Sequence, residues 1–382
     1  MKISSVLMPQ RLFWVRYWLP PVMAGGIAWL LFLLADTPLV RASGLALVIA
    51  GITLALRRLG AFISLIGGLT LALCPAFWSQ TGGGEGTPAT IVLALGIAGL
   101  IALAGSVMTR RPALAVGAAV TVFAVLFWLQ IGTPRSIRLT GFTTSWLMFL
   151  LIDMLLLTNP HPTEAAPPPI MRFKSVDKEE ERIPQFYHIW GIMLLFSLGI
   201  LNDRLMVLLA PAIALALYLT RVKLSYFYGV LFGLIVGIGL HGLVVDYIQR
   251  ESHRLALDAW RQGRRWLTVV NFIVAQFGWF STLLSILGLT RLARWYPALG
   301  NVSLIGYAAY AGFALVYDGP TKATLLLPML IIQIVWLTYA VFTLGEWVVN
   351  NAPRGGLWLR RGVFLLYGLL PLSMGLAILK VI

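Results

Sequence analysis

ATLLLPMLIIQIVWLTYAVFTLGE, residues 323–346, decides the fold. Its single charge, Glu346, closes the run. The stretch is long and apolar enough to cross a bilayer, which takes about 20 residues of helix. The same criterion, applied outward from it, finds about thirteen candidate spans. Ahead of it lie 302–317, 268–290, 224–247, 205–220 and 186–201, then 142–158, 112–131, 89–108, 59–78, 38–56 and 18–35. Behind it lies 362–381. The chain reads as an all-α, polytopic integral membrane helix bundle.

Composition agrees. Hydrophobic residues make up 59% of the chain and charged residues 11%, with a mean hydropathy of +0.87. A soluble domain carries nearer a quarter charged residues. The 14 Trp and 12 Tyr suit the two membrane interfaces. The net charge of +15 would suggest nucleic acid in a soluble protein. Here the basic residues form short clusters between apolar runs, as orientation signals do, so nucleic acid is set aside. Cys74 is the sole cysteine, which excludes an internal disulfide and a Cys-based metal site. The four His are scattered without ligand spacing.

The first run, from Trp18, follows Lys2, Arg11 and Arg16 without a convincing cleavage site and reads as a retained helix. With the N-terminus placed in the cytoplasm, strict alternation puts most Lys and Arg inside. A hydrophilic segment, 159–185, is rich in Pro and then in mixed charge, and reads as a cytoplasmic linker. It separates an N-terminal half, 1–158, of six spans from a C-terminal half, 186–382, of seven. Segment 248–267 is the exception to the charge rule. It interleaves Arg250, Arg254, Arg261, Arg264 and Arg265 with Trp260, Trp266 and leucines, the pattern of an interfacial amphipathic helix. Arg250 and Arg254 are its candidate phosphate contacts.

Ionisable residues at membrane depth are costly and face protein or water. Asp153, Glu346, His241 and Asp246 lie near span ends, where snorkelling or helix packing suffices to explain them. Three loops open on one side by the alternation. They are Phe77-Trp78-Ser79-Gln80 with Glu85, Asn202-Asp203-Arg204, and Tyr317-Asp318-Gly319-Pro320-Thr321-Lys322. Asn, Asp, Gly and Pro also make turns on their own account.

At these loops the chain resembles bacterial GT-C-type membrane glycosyltransferases that use polyprenyl-phosphate-linked sugars, in a branch related to O-mannosyltransferases. Four stretches carry the resemblance in order: LALCPAFWSQTGGGEGTPATIVLAL (71–95), LGILNDRLMVLLAPAI (198–213), NFIVAQFGWFSTLLSILGLTRLARW (271–295) and LVYDGPTKATLLLPMLI (315–331). It implies a GT-C-like fold, with Glu85 contacting acceptor or metal and Arg204 contacting phosphate. Asp203 and Asp318 would line the same cavity. The chain departs from the family at its first outer loop, which here is only Asp36 to Ala42. The family carries a long catalytic loop there, of which Asp36 would be a remnant.

That departure favours a degenerate, non-catalytic scaffold, a structural or assembly subunit among other membrane subunits. Its Gly and aromatic content suits helix–helix contacts. The alternative is an enzyme that transfers sugar from a polyprenyl phosphate on the non-cytoplasmic face, for which a divalent cation is one candidate cofactor. A transporter is the weaker third reading, since no repeat is visible. The expected location is a bacterial inner membrane. The sequence leaves the metal question open.

Overall fold

A computed structural model describes residues 10–82, 117, 137–158, 182–220, 225–319, 322–352 and 355–379. Among these the chain is helical, and its one strand-like contact is an isolated antiparallel bridge between Leu255 and Tyr317. Spans 89–108 and 112–131, most of the linker and Glu85 lie outside the described residues. Helix formation begins at Arg182, inside the segment read as linker.

The N-terminal part contributes α1 (Gln10–Leu34), α2 (Leu39–Leu56), α3 (Ala61–Ala72), the single turn α4 (Pro75–Trp78) and α5 (Ile137–Thr158). The C-terminal part contributes α6 (Arg182–Asn202), α7 (Ala210–Leu219), α8 (Tyr226–Leu243), α9 (Gly263–Trp295), α10 (Pro297–Val316), the turn α11 (Lys322–Leu325), α12 (Leu327–Asn351) and α13 (Gly356–Leu379). Five helical stretches are long and apolar enough to cross a membrane: Tyr226–Gln249, Gly263–Trp295, Pro297–Val316, Leu327–Asn351 and Trp358–Ile378. The protein is therefore an integral membrane protein. Shorter apolar helices, such as Arg41–Ala55 and Thr140–Leu156, pack beside them.

Helix α12 is the axis of the bundle. It is apolar on every side, the signature of a helix enclosed by others. It is almost fully buried, and α3, α5, α9, α10 and α13 all pack on it. Gln333, its one buried amide, is 2% exposed and accepts a hydrogen bond from the Tyr307 hydroxyl at 3.4 Å. The rim is different. Helices α8 and α13 are equally apolar but almost bare, so lipid is their solvent.

Proline placement sets several starts. Pro297, Pro328 and Pro211 sit in first turns, where the missing N–H costs nothing. Before Pro211 the chain runs as a 3₁₀ segment, Arg204–Leu209, capped by the Asp203 carboxylate on the Leu205 N–H at 3.0 Å.

Segment 248–267 is not one amphipathic helix. Helix α8 ends in a π-turn, Val244–Gln249, followed by 3₁₀ turns at Ser252–Arg254 and Leu257–Arg261. The cause is long-range pairing. Ala256 N–H donates to Val316 O and Asp318 N–H to Arg254 O, each at 2.9 Å, which holds the chain extended around Leu255.

Candidate functional site: a lipid-facing groove beneath a polar end

The two ends of the bundle are built differently. At one, Asp153 of α5 collects Arg57 at 2.6 Å, Arg58 at 3.1 Å and His188 of α6 at 3.1 Å. At the other, the loops singled out from the sequence meet neighbours far away in the chain.

An aromatic knot organises this second end. Tyr247 lies edge-on to Phe313 and to Tyr317, with centroids 5.5 and 5.9 Å apart, while Phe313 and Tyr317 stack at 5.0 Å. Their hydroxyls reach outward. Tyr247 donates to Asp203 at 3.4 Å and Tyr317 to Glu251 at 2.9 Å. Asp318 pairs with Arg265 at 2.8 Å. The Asn202-Asp203-Arg204 turn and the Tyr317-to-Lys322 turn are thus joined through Tyr247.

The Phe77-to-Gln80 loop attaches on another side. The Ala76 N–H donates to Gln276 Oε1 at 2.7 Å, tying α4 to α9 across 200 residues. Gly82 is held between the Thr37 hydroxyl, which accepts its N–H at 2.9 Å, and Arg41, which donates to its carbonyl. Helix α11 packs on α4. Two polar atoms here are buried without a hydrogen-bond partner among the described residues, Gln80 Oε1 and Lys322 Nζ. Burial pushes the Lys322 ammonium below its usual value, and Asp318 opposes that shift.

The candidate side chains fall into distinct settings. Asp203 is 5% exposed and engaged as a cap. Arg204 turns back to donate to Ile200 O at 3.0 Å and lies against Gly242 of α8. Arg250 pairs with Asp246 at 3.2 Å and Arg254 with Glu251 at 3.7 Å. Asp36 is exposed, at a φ of +52°. Phe77 is a fully buried core residue beside Phe32. Among the described residues no three His, Cys, Asp or Glu side chains come together to hold a metal.

Sequence reasoning missed a long groove. A cavity of about 1050 Å³ opens between α9 and α13, with α12 behind it and Pro75, Trp78 and Ser79 at one end. It exceeds the ~300–1,000 Å³ of ordinary small-molecule pockets. Its lining on α13 runs from Val363 to Ile378, about 22 Å at 1.5 Å per residue. The walls are mainly Leu, Val, Phe and Met, and several of their polar groups are already used. Gln276 is bonded to Ala76, Tyr367 to Thr338 at 3.1 Å, and Ser373 to Leu370 O at 2.8 Å. Such a surface suits a long apolar chain.

Gly278 makes the cavity. Its φ of +79° and ψ of +162° break α9 in mid-course, and residues 274–281 line the opening. This backbone region is essentially closed to other residues. Non-helical backbone at membrane depth is tolerated where it lines a cavity. Gly278→Ala meets no neighbour, so its penalty is conformational: about 1–3 kcal/mol of stability. Thermal unfolding in detergent measures it, and an unchanged midpoint would show that α9 is not held at this angle.

No protein family, curated protein or solved structure matches this chain in comparison.

Proposed function

We propose that the protein is a GT-C-like, non-catalytic membrane subunit that holds the hydrocarbon chain of a lipid in the groove between α9 and α13. In this reading the chain crosses a bacterial inner membrane about thirteen times at ~20 residues per span, with its N-terminus in the cytoplasm. The polar end then faces the non-cytoplasmic side. The lipid is of the polyprenyl-phosphate class, and other membrane subunits supply the chemistry.

The groove is the observation that carries the reading. Its length suits a chain lying along the membrane normal, and its walls are mainly apolar. Lack of catalysis is supported by the carboxylates. Asp203, Asp246, Glu251 and Asp318 each engage a donor of the chain itself. A general base must reach the proton it abstracts, and these four each already hold a donor of the chain, while Glu85 lies outside the described residues.

A second reading, a glycosyltransferase with Glu85 at its centre, draws on one observation. Lys322 carries a buried ammonium near α4 without a hydrogen-bond partner among the described residues, where a lipid phosphate would supply one.

Ala377→Trp tests the groove. Ala377 is an exposed lining residue, so an indole there obstructs the cavity with little demand on the core. The full-length protein, extracted gently from its own membrane, should carry an isoprenoid lipid in native mass spectra together with partner subunits. Ala377→Trp should lose most of the lipid and keep the subunits. A wild-type protein free of isoprenoid, or a variant that retains it fully, would overturn the groove's role.

A further inference from the structure

Segment 250–267 carries five arginines, and the structure sorts them into two kinds. Arg250, Arg254 and Arg265 are paired with Asp246, Glu251 and Asp318. Arg261 and Arg264 have no carboxylate partner among the described residues, and both are exposed. The Arg261 guanidinium lies over the Trp260 ring, 5.2 Å from its centroid. The Trp266 indole N–H donates to Trp260 O at 2.7 Å, which ties the second indole to the backbone of the first. Each indole is 52% exposed.

Arg264 is placed against its own interest. It stands in the first turn of α9, where the helix dipole is positive and no acidic residue offsets it. Arg265 in the same turn has Asp318 as compensation. Arg264 has nothing comparable among the described residues. The apolar course of α9 begins at Leu267, so the Trp260–Trp266 turn sits where hydrocarbon gives way to headgroups. Tryptophan favours that level, and guanidinium groups bind phosphate oxygens there in bidentate fashion.

We infer that the Trp260–Trp266 turn is a binding surface for anionic phospholipid, with Arg261 and Arg264 on the headgroup phosphate and the two indoles bracketing the glycerol region. Charge complementarity selects the occupant. A zwitterionic lipid carries its own ammonium and gains less from two unpaired cations. The inference needs only the membrane placement of α9 and is independent of the groove between α9 and α13.

The test uses full-length protein in detergent with equimolar phosphatidylglycerol and phosphatidylcholine of identical acyl chains, read by native mass spectrometry. The wild type should retain phosphatidylglycerol severalfold over phosphatidylcholine, and the preference should weaken as salt screens it. The Arg261→Gln/Arg264→Gln double variant should bring the two lipids to parity, and the corresponding double Lys variant should keep part of the preference. Parity in the wild type, or an undiminished preference in the Gln variant, overturns the inference. A measurement on the wild type alone covers the case of a misfolded variant. Photoactivatable phosphatidylglycerol should crosslink within 260–266, and crosslinks found only elsewhere would refute the site.

Discussion

Asp153→Asn is expected to cost about 3 kcal/mol or more, the range seen when one partner of a buried ion pair is removed. Asp153 pairs with Arg57, Arg58 and His188 at once, and it draws the end of α2, α5 and α6 together at one end of the bundle. The side chains of Asp153 and His188 are 12% exposed and that of Arg57 14%, so water does little to replace the lost carboxylate. Arg57 cannot leave easily. It lies over the Phe149 ring at 5.0 Å and donates to Leu54 O at 3.2 Å. The control is Glu346→Gln, which breaks the Arg360 pair, 35% and 37% exposed, and should cost less than about 1 kcal/mol. Reversible unfolding in detergent compares the two. Equal losses would mean that the Asp153 cluster is an ordinary solvated contact.

Asp153 also shows what the sequence could and could not reveal. Its depth in an apolar run marked it as a packing or snorkelling group. Which cations it would gather depends on how α2 meets α5, and nothing local encodes that. The same holds at the other end. Chain alternation put three loops on a common side, and composition made their Asn, Asp, Gly and Pro look like turns. The contacts that unite two of them run through Tyr247, an aromatic residue at the end of a span with no polar signature. The pairing of Ala76 with Gln276 spans 200 residues and leaves no trace in periodicity.

Long apolar runs were the legible part. The stretches 224–247, 268–290, 302–317, 323–346 and 362–381 correspond to helices α8, α9, α10, α12 and α13. Hydropathy fixes such helices because the bilayer demands internally satisfied backbone. It is silent on departures from the helix. Gly278 reads as one glycine among many in the Phe277-Gly278-Trp279 run, yet its positive φ opens the groove. Periodicity made 248–267 a surface helix, and the bridge from Leu255 to Tyr317 overrode it.

Gly288→Ala should be nearly as damaging as the loss of Asp153, although it adds one methyl group. Helices α9 and α12 approach so closely there that a Cβ on residue 288 would fall on the Trp336 carbonyl oxygen. A backbone atom cannot swing aside as a side chain can, so the helices themselves must separate. Separation is opposed from behind. The Trp336 indole donates to Ser303 Oγ at 3.0 Å and its ring packs on Tyr307 at 4.5 Å, which anchors α12 to α10. The expected loss is about 3 kcal/mol, the upper part of the overpacking range. Gly233→Ala on α8 is the matched control. A Cβ there meets nothing, and stability should hold or rise by a few tenths of a kcal/mol through helix propensity. Because α9 and α12 are also two walls of the groove, Gly288→Ala should lower lipid retention in native mass spectra, while Gly233→Ala leaves it unchanged. If both variants unfold with the wild type, α9 and α12 do not pack through their backbones. If Gly288→Ala unfolds early but keeps its lipid, the groove is set by the bend at Gly278 and not by the spacing of these two helices.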